Sequence, residues 1–174
     1  MHIFLQGQRN IGKSTVIRKT LDILAAYSPL AVGGFFTWNG GKDNPYIFMQ
    51  CARNGGEGEI YRLAHFDECN GSGLVCDLQV FEQDGVRLLG DSKGANLIIM
   101  DELGYLESSA TMFKQAVMDL IAGDIPIFGV LRLWDVPWHR DIKRNPLVTL
   151  VDVDEVNRDV LPQELARMLI LSLE

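Results

Sequence analysis

Cysteine is scarce in this 174-residue chain: Cys51, Cys69 and Cys76 are odd in number and show no Cys-x-x-Cys spacing. That argues against a disulfide framework or a thiolate metal site and points to buried or idle thiols in a reducing compartment. His2, His65 and His139 show no metal-ligand spacing, so no zinc site is expected. Positive charge is also short. Lys and Arg number 16 against 23 Asp and Glu, a net charge of −7. No basic stripe exists to neutralise a nucleic-acid backbone, so no nucleic-acid polymer is expected as a partner. Hydrophobic runs stay too short to span a membrane, and Met1-His2-Ile3 leads straight into an apolar run without a basic leader. A cytoplasmic protein with no membrane partner is the expectation. Internal repeats, low-complexity tracts and linkers are missing too. At 47% hydrophobic residues, the length suits one well-packed domain over residues 1–174.

What the chain does carry begins at residue 7. Residues 7–15 read Gly-Gln-Arg-Asn-Ile-Gly-Lys-Ser-Thr. Gly7, Gly12, Lys13 and Ser14 fill the phosphate-binding template G-x-x-x-x-G-K-[ST]. The two glycines let the backbone turn tightly, so that successive N–H groups face phosphate oxygens. Lys13 is placed to reach the β- and γ-phosphates, and the Ser14 hydroxyl to complete a Mg²⁺ shell. Gln8, Arg9, Asn10, Ile11 and Thr15 make up the rest of the nucleotide-binding loop. Before the loop runs Ile3-Phe4-Leu5, and after it Ile17, Leu21 and Leu24 recur at i, i+4 and i+7. That pattern predicts strand, loop and helix in succession. The helix N-terminus adds its partial positive charge to the anion site.

Beyond the loop, strand and helix patterns alternate. Strands are predicted over 30–37, 46–51 and 60–64, with a turn cluster at 38–45. Asn54-Gly55-Gly56 and Gly58 join the last two strands as a hairpin. Asn70-Gly71-Ser72-Gly73 reads as a loop, followed by a strand over 78–81 and a short helix over 86–92. Leu97-Ile98-Ile99-Met100 is an unbroken apolar run, suited to a strand covered on both faces. Phe113, Ala116, Val117, Leu120 and Ile121 repeat at helical spacing, with Ser108 or Ser109 available as cap. Strands over 125–131 and 147–151 and helices over 136–145 and 161–173 complete the chain. The alternation implies an α/β fold: a mostly parallel sheet flanked by helices, with the hairpin of residues 46–64 as an antiparallel addition. Ligands of such sheets bind at the carboxyl ends of strands.

At such an end, Leu97–Met100 runs into Asp101-Glu102, on a strand expected beside the first. Asp101 is placed to hold Mg²⁺, through a water or through Ser14. Glu102 points to the other face of the strand end and is the candidate general base, or the group that orients an attacking water. An acidic strand end at the surface is the plain alternative; its coincidence with residues 7–14 argues for the functional reading.

Several stretches together resemble the small P-loop nucleoside-triphosphatases, the group that contains the thermostable and the cancer-related NTPases. Besides the phosphate loop, Gly34-Phe35-Phe36-Thr37 is similar to the family's Gly-Phe-x-Thr element. Asp101-Glu102-Leu103-Gly104-Tyr105-Leu106-Glu107 is similar to its Asp-Glu-x-Gly-x-x-Glu signature, and Asn157-Arg158-Asp159 with Leu161-Pro162 to its ending. The resemblance spans nearly the whole chain. It implies a P-loop NTPase three-layer sandwich and Mg²⁺-dependent hydrolysis of nucleoside triphosphates, ATP, GTP or another, to diphosphate and phosphate.

The chain departs from the family pattern in two places. Asn10 stands where a third loop glycine is usual, and Asn tolerates left-handed backbone better than most residues. Thr37 is followed by Trp38-Asn39-Gly40-Gly41-Lys42, where the family continues with Glu-x-Arg. If that arginine serves substrate or transition-state charge, Lys42, Arg53 or Arg62 must supply it here, or turnover is slower.

Other residues carry two readings each. Glu107 either turns back toward the site or sits at a helix start. Thr37 either touches a phosphate-bound water or satisfies a strand end. Arg132 follows a strand and can face the nucleotide. Trp134, Trp138, His139, Arg140, Lys143 and Arg144 form either a cationic lid or an amphipathic helix with a solvated basic face. Asn157 and Arg158 either line the base pocket or belong to a polar loop.

The expected reaction is hydrolysis, with Lys13 and Glu102 catalytic and Ser14 and Asp101 on the metal. The alternatives are a kinase acting on a nucleotide or small metabolite, and a nucleotide-binding protein without turnover whose state a protein partner reads. A GTP-specific switch is disfavoured, because the chain holds no Asn-Lys-x-Asp motif.

Overall fold

The computed structural model describes residues 1–53, 58–67, 73–133 and 135–173. The expected turn at Asn54-Gly55-Gly56, the loop residues Asn70-Gly71-Ser72, Cys69 and Trp134 lie outside the described residues. Strand β1 (His2–Gln6) leads through the glycine loop into α1 (Lys13–Tyr27) and then β2 (Val32–Asn39). Strands β3 (Tyr46–Cys51), β4 (Ile60–Asp67) and β5 (Gly73–Cys76) follow, then a helical segment ending in α2 (Val86–Gly90). Next come β6 (Leu97–Leu103), α3 (Thr111–Ile121), β7 (Ile127–Leu131), α4 (His139–Arg144), β8 (Val148–Asp152) and α5 (Leu161–Leu173).

Among the described residues the strands form one eight-stranded sheet, in the order β5-β4-β3-β2-β6-β7-β1-β8. From β2 to β8 neighbouring strands are parallel. From β2 through β3 and β4 to β5 they are antiparallel. The expected hairpin is thus two strands of a three-strand meander. Helices α1 and α5 cover one face, where Ile3, Leu5, Leu97 and Ile99 meet Ile17, Leu24, Leu165 and Leu169. On the other face Phe4, Phe35, Ile98 and Met100 meet Phe81, Leu88, Phe113 and Val117. Alternate residues of Leu97–Met100 therefore enter two different cores, and this is why the run has no polar partner positions. Each such fully buried side chain is worth about 2 kcal/mol of transfer free energy.

Three expectations are corrected. Residues 78–81 are helical, entering the π-turn Val80–Gly85. Asp77 redirects the chain there: its Oδ1 accepts the Gln79 N–H at 3.0 Å and its carbonyl accepts the Val80 N–H at 3.2 Å. Neither Ser108 nor Ser109 caps α3; the Glu82 Oε2 accepts the Met112 and Phe113 N–H groups at 2.8 and 3.2 Å. Finally, β6 does not lie beside β1, because β7 is inserted between them. Because α1 packs across β7, Ser14 at its start still reaches the end of β6.

Candidate functional site

The carboxyl ends of β1, β6 and β7 open into a cleft of about 690 Å³. Its floor is the loop after β1. Gly7 has φ +151°, and a Cβ there would lie 2.5 Å from the Val153 carbonyl oxygen, so the close approach of the chain after β8 demands glycine. Asn10 adopts φ 62°, which bears out the expectation that asparagine can carry the left-handed turn where glycine is usual. Gly12 precedes the helix at φ 109°. The ladder of α1 starts with the Val16 N–H to the Gly12 carbonyl at 2.9 Å. The amides of Lys13, Ser14 and Thr15 precede it, in the position where a helix start binds anions.

Lys13 is buried, and its Nζ donates to the carbonyls of Gly7 at 3.0 Å and Gln8 at 2.8 Å. Burial pulls the ammonium below its ordinary range; the charges of Glu102 and Asp101 hold it up and that of Arg132 presses it down. Asp101 is buried as well. Burial pushes its carboxyl up to about 6, the charge of Glu102 adds to this, and a hydrogen bond from the Ser14 hydroxyl works against it. Ser14 and Asp101 thus meet as a pair of hard oxygen donors below the loop. That chemistry fits a divalent cation such as Mg²⁺, which keeps most of its shell for water and phosphate.

Glu102 turns the other way. Its N–H donates to the Thr37 Oγ1 at 3.1 Å, so Thr37 fastens the end of β6 to β2. Its carboxylate, partly exposed, stands 3.3 Å from the Arg132 Nη1. Arg132 follows β7, its own N–H bonded to the Leu103 carbonyl at 2.9 Å, and its guanidinium lies 5.0 Å over the Tyr105 ring. Glu107 is buried, and its Oε1 accepts the Gly104 N–H. Burial pushes its carboxyl up to about 7, with the charge of Glu102 adding. Of its two readings, the contact made is the one that turns back: from the first turn of the 3-10 segment Leu106–Ser109 it braces the segment behind Glu102.

The structure brings Gly7, Gln8, Arg9, Asn10, Gly12, Lys13, Ser14, Thr15, Asp101 and Glu102 to one cleft. Ile11 instead packs against the core on the α1 face. Arg158 lies behind the loop, its Nη1 3.5 Å from the Ile11 carbonyl. Asn157 ties the chain after β8 together, its Oδ1 accepting the Asp154 N–H at 2.9 Å and its Nδ2 donating to the Asp152 carbonyl at 2.8 Å. None of the three suggested substitute cations lines the cleft. Lys42 is exposed in the β2–β3 turn, Arg53 binds the Asp91 carbonyl at 3.1 Å, and Arg62 lies 4.8 Å over the Tyr46 ring. Two others do line it: Arg132, and Arg18, which sequence reasoning missed. The signal for Arg18 was its spacing, one helical turn after Ser14. Helix α4 is not a lid: His139 and Ile142 are buried, Trp138 Nε1 bonds the Gly104 carbonyl at 3.3 Å, and Arg140 pairs with Asp135 at 2.7 Å.

Comparison with known proteins gives a consistent result. The profile of the family described as NTPase matches residues 2–166. The nucleoside-triphosphatase THEP1 of Thermotoga petrophila is 28% identical over 97% of this chain and 93% of its own length. The cancer-related nucleoside-triphosphatase homolog of Mus musculus is 29% identical over 91% of this chain and 85% of its own. The crystal structure of THEP1 from Aquifex aeolicus superposes with a TM-score of 0.78, at 20% identity, covering 97% of this chain and 99% of that one. The solution structure of a human cancer-related nucleoside triphosphatase gives 0.76 at 23% identity, covering 96% of each. At these identities the two structures speak for the fold. Among the described residues, no helix is long and apolar enough to cross a membrane.

Proposed function

The chain belongs to the NTPase family, and we propose that it hydrolyses nucleoside 5′-triphosphates to diphosphate and phosphate in the cleft at the ends of β1, β6 and β7. The observation that carries this is the division of labour between adjacent carboxylates: Asp101 is buried against Ser14, while Glu102 faces the cleft. Lys13 and the amides at the start of α1 gather the phosphate charge. Ser14 and Asp101 would hold Mg²⁺, which supplies charge neutralisation on the phosphate oxygens when bound. Glu102 orients a water and takes its proton as the water oxygen bonds to the γ-phosphorus. The bond from that phosphorus to the β–γ bridging oxygen breaks, and the diphosphate leaves. Most of the rate comes from positioning and electrostatics. Arg158, beside the loop with its Nη1 3.5 Å from the Ile11 carbonyl and with Asn157 holding its own segment, is the proposed contact toward the base. A cytoplasmic setting, with triphosphates at hand and Cys51 and Cys76 as free thiols, goes with this reading.

Replacing Glu102 with glutamine tests it. The variant is expected to bind nucleotide as the parent does and to lose turnover by about 10²-fold or more. Undiminished turnover would remove Glu102 from the mechanism.

A second reading, phosphoryl transfer to an acceptor, is favoured by one observation. The cleft is also lined by Trp38, Ile47 and Leu133, apolar side chains suited to an acceptor rather than to phosphate oxygens, with Trp38 stacked on Phe48 at 4.3 Å. Faster nucleotide consumption on addition of a hydroxyl-bearing aromatic metabolite would favour transfer.

A further inference from the structure

We infer that Arg132 is the cation that meets the transferring phosphoryl group, and that its ion pair with Glu102 is the resting arrangement which a bound triphosphate takes apart. The inference rests on the hydrolytic reading and adds a catalytic residue to it. Because β7 is inserted between β1 and β6, the residue after β7 emerges between the phosphate loop and Glu102. That residue is Arg132. Among the described residues, four cationic side chains line the cleft: Arg9, Lys13, Arg18 and Arg132. Lys13 is turned onto the loop carbonyls of Gly7 and Gln8. Arg9 is exposed at the loop tip, and Arg18 follows Ser14 by one helical turn, acting on the Asp101 side. Arg132 alone among the four forms an ion pair with Glu102, at 3.3 Å.

Its position is fixed from several sides. The Arg132 N–H is bonded to Leu103, the guanidinium covers the Tyr105 ring, and the side chain passes over Gly104, where a Cβ would lie 3.4 Å from the Arg132 Cδ. An arginine with its backbone pinned and its planar head half-buried meets phosphate oxygens with little loss of freedom. As the bond from the γ-phosphorus to the bridging oxygen lengthens, charge spreads over the equatorial and leaving oxygens. A guanidinium there is worth roughly 10³-fold or more in rate. The same movement releases the Glu102 carboxylate for the attacking water, so the pair couples arrival of the γ-phosphate to assembly of the site. A diphosphate offers no γ-phosphate and leaves the pair closed. The arginine missing from residues 38–42 is thereby replaced from a different strand.

The test compares the parent with Arg132→Ala and Arg132→Lys, using ATP and Mg²⁺. Phosphate release, ADP affinity and ADP retention in the presence of aluminium fluoride are measured, with circular dichroism to confirm folding. Expected are a kcat lower by about 10³-fold in both variants, ADP affinity within about threefold of the parent, and loss of the fluoride-dependent retention. Added guanidinium ion is expected to restore part of the rate to Arg132→Ala and none to Arg132→Lys. If the parent turns over and both variants match it within about threefold, Arg132 is not the phosphoryl-group cation. The same conclusion follows if ADP affinity falls as far as kcat. If one variant fails to fold, the other decides by the same readouts. A parent without turnover would instead overturn the hydrolytic reading itself.

Discussion

Replacing Glu107 with glutamine is expected to leave stability nearly unchanged at acid pH and to raise it at alkaline pH. Glu107 is buried behind the site, its Oε1 accepting the Gly104 N–H. Burial and the nearby charge of Glu102 push its carboxyl from 4.5 up to about 7. For an acid held above its unfolded value, the native state keeps a proton that the unfolded chain has already released. The stabilising contribution is therefore complete below pH 4.5 and is lost as pH rises through about 7. A displacement of that size is worth about 3 kcal/mol. Glutamine keeps an oxygen for Gly104 and bears no charge at any pH, so it stands in for the protonated acid. With a urea slope of about 2 kcal/mol per molar, the midpoints of the two proteins separate by about 1.5 M between acid and alkaline buffer. The assay is urea unfolding from about pH 4 to about pH 8, free of metal and nucleotide, because ligand binding to the native state would shift both curves. A separation that stays constant across that range would refute the argument from burial.

The remaining predictions concern the framework. Glu82→Ala removes the acceptor for the Met112 and Phe113 amides at the start of α3 and is expected to cost about 1 kcal/mol by urea midpoint. Ser108→Ala and Ser109→Ala serve as near-neutral controls, and an effect confined to the serines would restore the original capping assignment. Gly34 has φ +87°, and a Cβ there would run into the Ile99 carbonyl of the paired strand. Gly34→Ala is expected to lose several kcal/mol or fail to accumulate as folded protein; a parent-like melting temperature would contradict the β2–β6 register.

How much of this was legible in the sequence depended on whether the determining contacts were local. The phosphate loop could be read directly, including the left-handed Asn10, because its residue types stand at fixed spacing within nine residues. The run Leu97–Met100 announced a strand covered on both faces because each residue enters a core. The carboxylates at its end have different partners, Ser14 for Asp101 and Arg132 for Glu102. What could not be read was set by distant partners. No local pattern says that β7 slips between β1 and β6, and with that order hidden, Arg132 could not be placed beside Glu102. The cap of α3 comes from Glu82, some thirty residues earlier in the chain. Residues 78–81 show strand-like side chains, yet Asp77 turns the backbone into a helix and Phe81 still reaches the core. The antiparallel meander was read as a hairpin because its third strand, Gly73–Cys76, has only four residues.

The most direct test of the account is phosphate release from ATP, GTP, CTP and UTP with and without Mg²⁺, in the parent protein and in Lys13→Ala. The account predicts release that requires both the metal and Lys13, since Lys13 is the buried cation at the floor of the cleft. Nucleotide binding without release, or release that survives the loss of Lys13, would contradict it.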